Sequence, residues 1–177
     1  MVEEICMSVG SGEGRWLEDV ASDYFKRKYS KSLVVRNIRL IKQKGKPGQG
    51  KEIDLINIDE ETLRLVECRT IQRGRSDDLE KTVEELKTKK KLFLEQFPWA
   101  GKDRDTELFY VYESTRGDEF ILGLKNRKVN TISVQEIVDW FIDREKKTNG
   151  KKSVAGYTDG GRLLISLLRY WKNKQSN

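Results

Sequence analysis

Histidine is absent from the 177 residues of this chain. That absence excludes hydrolases that depend on a catalytic histidine. It also excludes zinc fingers and catalytic metal sites that use histidine ligands. Any catalytic chemistry must therefore come from carboxylates, lysines and arginines, with oxygen atoms as the ligands of any metal ion.

Cysteine and long apolar segments are also scarce. The two cysteines, Cys6 and Cys68, provide no disulfide framework, which is typical of a reducing, cytoplasmic compartment. No apolar run approaches the roughly 20 residues that span a bilayer, and the acidic first residues do not resemble a signal peptide. Without a histidine to activate its thiol, Cys68 is expected to pack in the core.

Positive charge is concentrated in the last third of the chain. The formal net charge is +6, but residues 125–177 contain twelve Lys or Arg against five Asp or Glu, whereas the remainder is close to neutral. This asymmetry favours a phosphate-backbone partner, DNA in the first place with RNA as an open alternative. The simpler alternative is a solvated basic tail.

Hydrophobic periodicity predicts an α/β fold with a mixed sheet flanked by helices. The predicted core order is αβββαβ in residues 1–124, followed by a basic helical extension, 125–177, packed on the core. The last helix is apolar over a wide arc, which indicates burial in the body or in a homodimer. The predicted helices are 14–29, 77–97, 133–147 and 160–173, and the predicted strands are 33–41, 51–58, 62–69, 107–113 and 119–124.

The hairpin of strands 51–58 and 62–69 carries the most informative polar residues. Side chains alternate along a strand, so Asp54 and Glu67 are expected to lie roughly opposite each other, with Arg69 on the face of Glu67. Two neighbouring carboxylates repel, and a divalent cation relieves that repulsion. Oxygen ligation suits Mg²⁺ or Mn²⁺. The alternative is an ordinary solvent-facing salt bridge across the hairpin.

Four sequence segments carry a resemblance to a known family: GRWLEDVASDYF at 14–25, RNIRL at 36–40, KEIDLI at 51–56 and LVECR at 65–69. In this order and spacing they resemble the PD-(D/E)XK, or restriction-endonuclease-like, nuclease superfamily. The closest likeness is to archaeal Holliday junction resolvases and small resolvase-like proteins of bacteria. The resemblance covers roughly residues 12–115. It implies an αβββαβ nuclease core that hydrolyses DNA phosphodiester bonds with Mg²⁺ or Mn²⁺, with branched or damaged DNA as candidate substrates.

The resemblance also implies roles for individual residues. Glu18 matches the glutamate of the first helix, Asp54 the metal-binding aspartate, and Glu67 with Arg69 the Glu-x-Lys pair; the carbonyl of Cys68 would be a further ligand. Arg69 departs from the family, which has lysine there. Arginine keeps the charge and can clamp a phosphate, but it stays protonated and cannot act as a base. Lys51 is a candidate to assist in activating the water.

Six further cations are candidate contacts to nucleic acid, with a solvated surface as the alternative: Lys87, Lys90 and Lys91 on helix 77–97, and Lys151, Lys152 and Arg162 in the extension. Three functions stay open from the sequence. The first is a metal-dependent endodeoxyribonuclease. The second is a catalytically decayed nuclease-fold protein that acts as a DNA-binding or assembly factor. The third is a basic α/β protein with no nucleic-acid role.

Overall fold

The computed structural model describes residues 15–41, 50–69, 79–113, 118–148 and 157–166. Residues 159–166 are helical in addition to the ten elements below. None of the described helices is both long enough and apolar enough to span a membrane. The elements are α1 (Arg15–Lys28), β1 (Leu33–Leu40), β2 (Lys51–Ile58), β3 (Thr62–Arg69), α2 (Leu79–Gln96), α3 (Pro98–Gly101), β4 (Asp105–Tyr112), α4 (Asp118–Asn126), β5 (Val129–Ser133) and α5 (Val134–Thr148).

The described strands form one mixed sheet in the order β1-β2-β3-β4-β5. β1, β2 and β3 are an antiparallel meander, whereas β4 and β5 continue in parallel from β3. A tight turn joins β2 to β3, in which Oδ1 of Asp59 accepts the backbone N–H groups of Glu61 (3.0 Å) and Thr62 (2.7 Å). A parallel neighbour needs a crossover, and α2 provides it between β3 and β4.

Strand side chains alternate between the two faces of the sheet, and helices cover both faces. Leu55 and Val66 point to the face that packs against α1 and α5. Ile56 and Leu65 point to the opposite face, beneath α2 and α3. Farther along that second face, α4 packs on α2 and β4 through the buried Leu124. The core is therefore divided into two layers by the sheet.

The predicted α/β class, with a mixed sheet flanked by helices and the αβββαβ order, is confirmed. The prediction of a strand at 119–124 is wrong, because this segment lies within α4. A short apolar run is ambiguous between strand and helix, and here tertiary packing decides it. Gly123 lies directly against the Leu79 side chain of α2, and a Cβ at this position would require that leucine side chain to move.

Strand β5 was not predicted, and it changes the description of the extension. Its five residues bury only Val129, Ile132 and Ser133, too little for a clear strand pattern. Because β5 pairs with β4, the sheet continues beyond residue 124, and 125–177 is not purely helical. The predicted helix 133–147 is confirmed as α5. The helix predicted at 160–173 is present over 159–166, and its remainder lies outside the described residues.

Residues 157–166 are held on α1 by two aspartates. Oδ2 of Asp23 accepts hydrogen bonds from the backbone N–H (2.9 Å) and the hydroxyl (2.8 Å) of Thr158. Burial raises the pKa of Asp23, although the bonds from Thr158 oppose the shift. The backbone N–H of Gly160 donates to Asp19 at 3.2 Å. The side chain of Ile165 is fully buried in the core beside α1. This part of the extension therefore belongs to the folded body.

Gly161→Ala tests this docking. A Cβ at position 161 would overlap Oδ2 of Asp23, and such overpacking costs about 1–3 kcal/mol. We expect a lower free energy of unfolding in urea denaturation, although alanine is intrinsically the better helix former. Ser166→Ala, at an exposed position in the same helical segment, is the matched control. A Gly161→Ala protein as stable as the wild type would contradict the docking geometry.

Candidate functional site

Asp54 and Glu67 lie opposite each other on neighbouring strands. The β2–β3 pairing ends with Leu55 and Val66, and Asp54 and Glu67 are the next residues of the two strands beyond that pair. The charge of Glu67 acts on Asp54, so the two carboxylates are neighbours. Glu67 is only 4% exposed and contacts Lys89 of α2. The hairpin thus places two carboxylates side by side at the end of the sheet remote from its turn.

The position of Asp54 disfavours its charged form. Burial, followed by the neighbouring charge of Glu67, raises the pKa of Asp54 to about 8. The backbone N–H of Cys68, which donates to Oδ2 of Asp54 at 2.6 Å, only partly offsets the shift. In the absence of a metal ion, Asp54 therefore keeps its proton at neutral pH. A divalent cation would favour the ionised form, so this donor pair fits Mg²⁺ or Mn²⁺.

Glu67 is held between two cations from different elements. Oε1 of Glu67 lies 2.6 Å from Nη2 of Arg69, two residues further along β3. Oε2 lies 2.5 Å from Nζ of Lys89, which reaches down from α2 and is itself buried. Burial would lower the pKa of Arg69, but the charges of Glu67 and Glu85 outweigh it and raise that pKa. Both oxygens of Glu67 thus have a cationic partner.

Glu18 lies near this pair without joining it. Its carboxylate is 3.5 Å from Nη2 of Arg36, whose Nη1 also pairs with Asp19 at 2.5 Å. Burial raises the pKa of Glu18, with Arg36 opposing, and the charge of Glu18 contributes to the raised pKa of Asp54. Within the described ranges, no three His, Cys, Asp or Glu side chains come close enough together to hold a metal ion. The structure therefore joins Asp54 with Glu67 and leaves Glu18 with Arg36.

Cys68 contributes through its backbone. Its N–H holds Asp54, while its side chain packs against the core beside α1, as expected. Burial raises the pKa of the Cys68 thiol well above its ordinary value. The thiol is therefore kept in its neutral form.

The other predicted cations are distributed over several elements. Lys51 lies 4.0 Å from Glu85, at the edge of the site. The nucleic-acid candidates that the structure describes have partners away from Asp54 and Glu67. Lys87 pairs with Glu84 (3.1 Å), Lys91 with Glu95 (3.9 Å) and Arg162 with Asp159 (2.5 Å), while Lys90 donates to the carbonyl of Thr106 (3.3 Å). Lys151 and Lys152 lie outside the described residues.

Sequence reasoning named Lys89 only within the lysine run of this helix as a possible phosphate contact, and it did not place Lys89 or Glu85 beside the carboxylate pair. Lys89 continues the buried stripe of α2 that contains Val83, Leu86 and Phe93. A lysine on an apolar stripe needs a buried carboxylate as its partner, and that signal was present in the sequence. Glu85, one helical turn before Lys89, had no comparable signal because glutamates at such positions are usually solvated.

Comparisons with known proteins add little to this geometry. No family model matches the chain, and no curated protein matches it. One solved structure, described as "Crystal Structure of Protein of Unknown Function AF1548", is similar with a TM-score of 0.48 at 8% identity. The similarity covers 90% of this chain and 98% of that one. The chain is an α/β protein whose function is inferred from its paired carboxylates and their cations.

The raised pKa of Asp54 predicts how stability depends on pH. The ordinary pKa of an aspartate is 3.8, so between about pH 4 and pH 8 the folded protein binds a proton that the unfolded chain has released. This stabilisation is complete below the lower pKa, and it is lost as the pH rises through the higher one. In the wild type the free energy of unfolding should therefore fall as the pH rises from 4 to 8. Asp54→Asn should reduce that fall and raise the free energy of unfolding at pH 9 by at least about 2 kcal/mol.

The measurement is urea denaturation at pH 5, 7 and 9 without metal. Asp143→Asn on α5, whose side chain is 69% exposed, is the control for loss of an aspartate charge. An Asp54→Asn protein with the same decline as the wild type would contradict the assignment of the titration to Asp54.

Proposed function

We propose that this chain is a divalent-metal-dependent nuclease of the PD-(D/E)XK type that hydrolyses DNA phosphodiester bonds. The observation that supports this function is the Asp54–Glu67 pair on adjacent strands, flanked by Arg69 and Lys89. The αβββαβ order and the position of Glu18 near the pair agree with the resemblance. We further propose a cytoplasmic location for the protein. Whether two copies associate as a homodimer stays an open prediction.

The carboxylates of Asp54 and Glu67 would hold the metal ion. Mg²⁺ or Mn²⁺ supplies an electrophile for the phosphate and lowers the pKa of a water molecule. Asp54 would hold the ion in its ionised form, since a bound cation would offset the repulsion from Glu67. Glu18 is a further candidate ligand if its carboxylate exchanges Arg36 for the ion.

Arg69 and Lys89 would stabilise charge on the phosphate. The side chain of Arg69 is 44% exposed, so its guanidinium can reach DNA from the site. Lys89 is buried behind Glu67 and keeps that carboxylate oriented. Fixed cations next to a reacting phosphate lower the barrier because they need no reorganisation when negative charge develops.

DNA is the proposed partner because of the charge distribution. The chain carries a formal net charge of +6, with its positive surplus in residues 125–177. Residues 157–166, which carry one arginine and one aspartate, pack on α1, the helix that carries Glu18, so this part of the C-terminal region is attached to the body that holds the site. Branched or damaged DNA remains the proposed substrate type, and RNA is a comparison substrate.

Asp54→Asn should abolish cleavage, because it removes a charged ligand and keeps the shape of the side chain. The assay measures nicking of plasmid and cutting of a four-way DNA junction in Mg²⁺ or Mn²⁺, with an RNA hairpin as the comparison. Asp143→Asn, the exposed control, should cut at the wild-type rate. Wild-type protein inactive in both metals, or Asp54→Asn as active as the wild type, would contradict the proposal.

Arg69 variants should separate catalysis from metal binding. Arg69→Ala should lower the cleavage rate about 100-fold, the usual effect of removing one fixed donor to a developing negative charge. Its Mn²⁺ affinity, measured by calorimetry, should stay close to that of the wild type. Arg69→Lys should retain cleavage, because the cation is preserved. Equal rates for Arg69→Ala and the wild type would instead assign the cation role to Lys89.

A DNA-binding role without catalysis is the second candidate. It is favoured by Glu67, whose two oxygens are already paired with Arg69 and Lys89 without a metal ion. In that case the protein binds DNA but cuts nothing in either metal. Cleavage gained by Arg69→Lys in an inactive wild-type background would identify a decayed nuclease.

A further inference from the structure

One carboxylate oxygen beside the Asp54–Glu67 pair is approached by three cations. It is Oε1 of Glu85, on the first half of α2. The distances are 3.5 Å to Nη2 of Arg69, 3.7 Å to Nζ of Lys89 and 4.0 Å to Nζ of Lys51. The cations come from three separate elements, β3, α2 and β2, so the fold itself brings them to a common point.

We propose that Lys51, Arg69 and Lys89 form a binding site for one phosphate group of a nucleic-acid backbone. The Glu85 carboxylate occupies this site in the free protein and leaves it when the phosphate binds. The convergence of the cations stands on the contacts alone. The identity of the ligand as a backbone phosphate rests on the proposed nuclease function.

The charges at the site agree with such an exchange. The three cations face the carboxylates of Glu67 and Glu85. Displacement of Glu85 by a phosphodiester replaces one negative charge with another. The balance of charge around the cations is therefore unchanged, and the exchange does not leave a buried charge without a partner.

Glu85 is the carboxylate that can leave. Its contacts of 3.5–4.0 Å are longer than the 2.5 and 2.6 Å contacts of Glu67. Its side chain is 34% exposed, whereas that of Glu67 is 5% exposed. Partly exposed ion pairs contribute little, and breaking a buried pair is strongly destabilising. A competing anion therefore displaces Glu85 and leaves Glu67 in place.

Calorimetric binding of inorganic phosphate tests the proposal, in EDTA and at low ionic strength where such contacts are least screened. Glu85→Gln keeps the shape of the side chain and removes the competing charge. It should bind phosphate about tenfold more tightly than the wild type, because the charged group that competes for the three cations is removed. A thymidine dinucleotide, which carries one phosphodiester, should show the same gain.

Glu84→Gln is the matched control, on the same helix with the same loss of charge. Glu84 pairs with Lys87 and its side chain is 69% exposed, so phosphate affinity should stay at the wild-type value. Arg69→Gln should weaken phosphate binding about tenfold, because one of the three cations is lost. Lys51→Gln should also weaken it, and provides a second variant if Arg69→Gln does not fold.

Two results would overturn the proposal: no gain in phosphate affinity for Glu85→Gln, or an equal gain for Glu84→Gln. Because binding is measured without metal, it is independent of cleavage. Phosphate binding as expected in a protein that never cuts would overturn the nuclease function and keep the anion site. Cleavage by the wild type, together with unchanged phosphate binding in Glu85→Gln, would overturn the anion site and keep the nuclease function.

Discussion

The antiparallel pairing of β2 with β3 is the constraint on which the rest of the site depends. It brings Asp54 and Glu67 together, one residue beyond the last paired residues Leu55 and Val66. Two carboxylates so close, with Glu67 buried and Asp54 half-buried, cannot both be ionised without compensation. The structure meets this conflict in two ways: Asp54 keeps a proton, and Glu67 receives Arg69 and Lys89 as partners. The hairpin therefore creates the need for these cations, and the packing of α2 on the sheet supplies Lys89.

The same compensation couples the site to the stability of the fold. Lys89 forms a buried ion pair between α2 and β3, and removal of one partner from such a pair costs about 3–5 kcal/mol. The side chains of Glu85 and Lys51 lie nearer to solvent and are held more loosely. The site therefore has a rigid inner part that maintains the packing of α2 on the sheet. Its outer part can exchange partners with an incoming anion.

Prediction from the sequence succeeded for elements that are long enough to show their hydrophobic period and are bounded by clear turns. The β1–β3 meander and α1, α2 and α5 were predicted correctly, because each extends over enough residues to show its period. The segment 119–124 and β5 were missed for the opposite reason. Each is short, and its form depends on neighbours: Gly123 lies against Leu79, and β5 pairs along β4.

The sequence by itself determined which functional groups are available for chemistry and which two carboxylates, Asp54 and Glu67, lie at the centre of the site. It has no histidine, and strand alternation around the short turn predicted that Asp54 and Glu67 are neighbours across the hairpin, where their charges do interact. Only the tertiary structure decided which other side chains meet them. Lys89 lies 22 residues beyond Glu67 in the chain, and Glu18 precedes both strands. Whether such residues converge depends on how α1 and α2 cross the sheet, and local periodicity carries no information about that crossing.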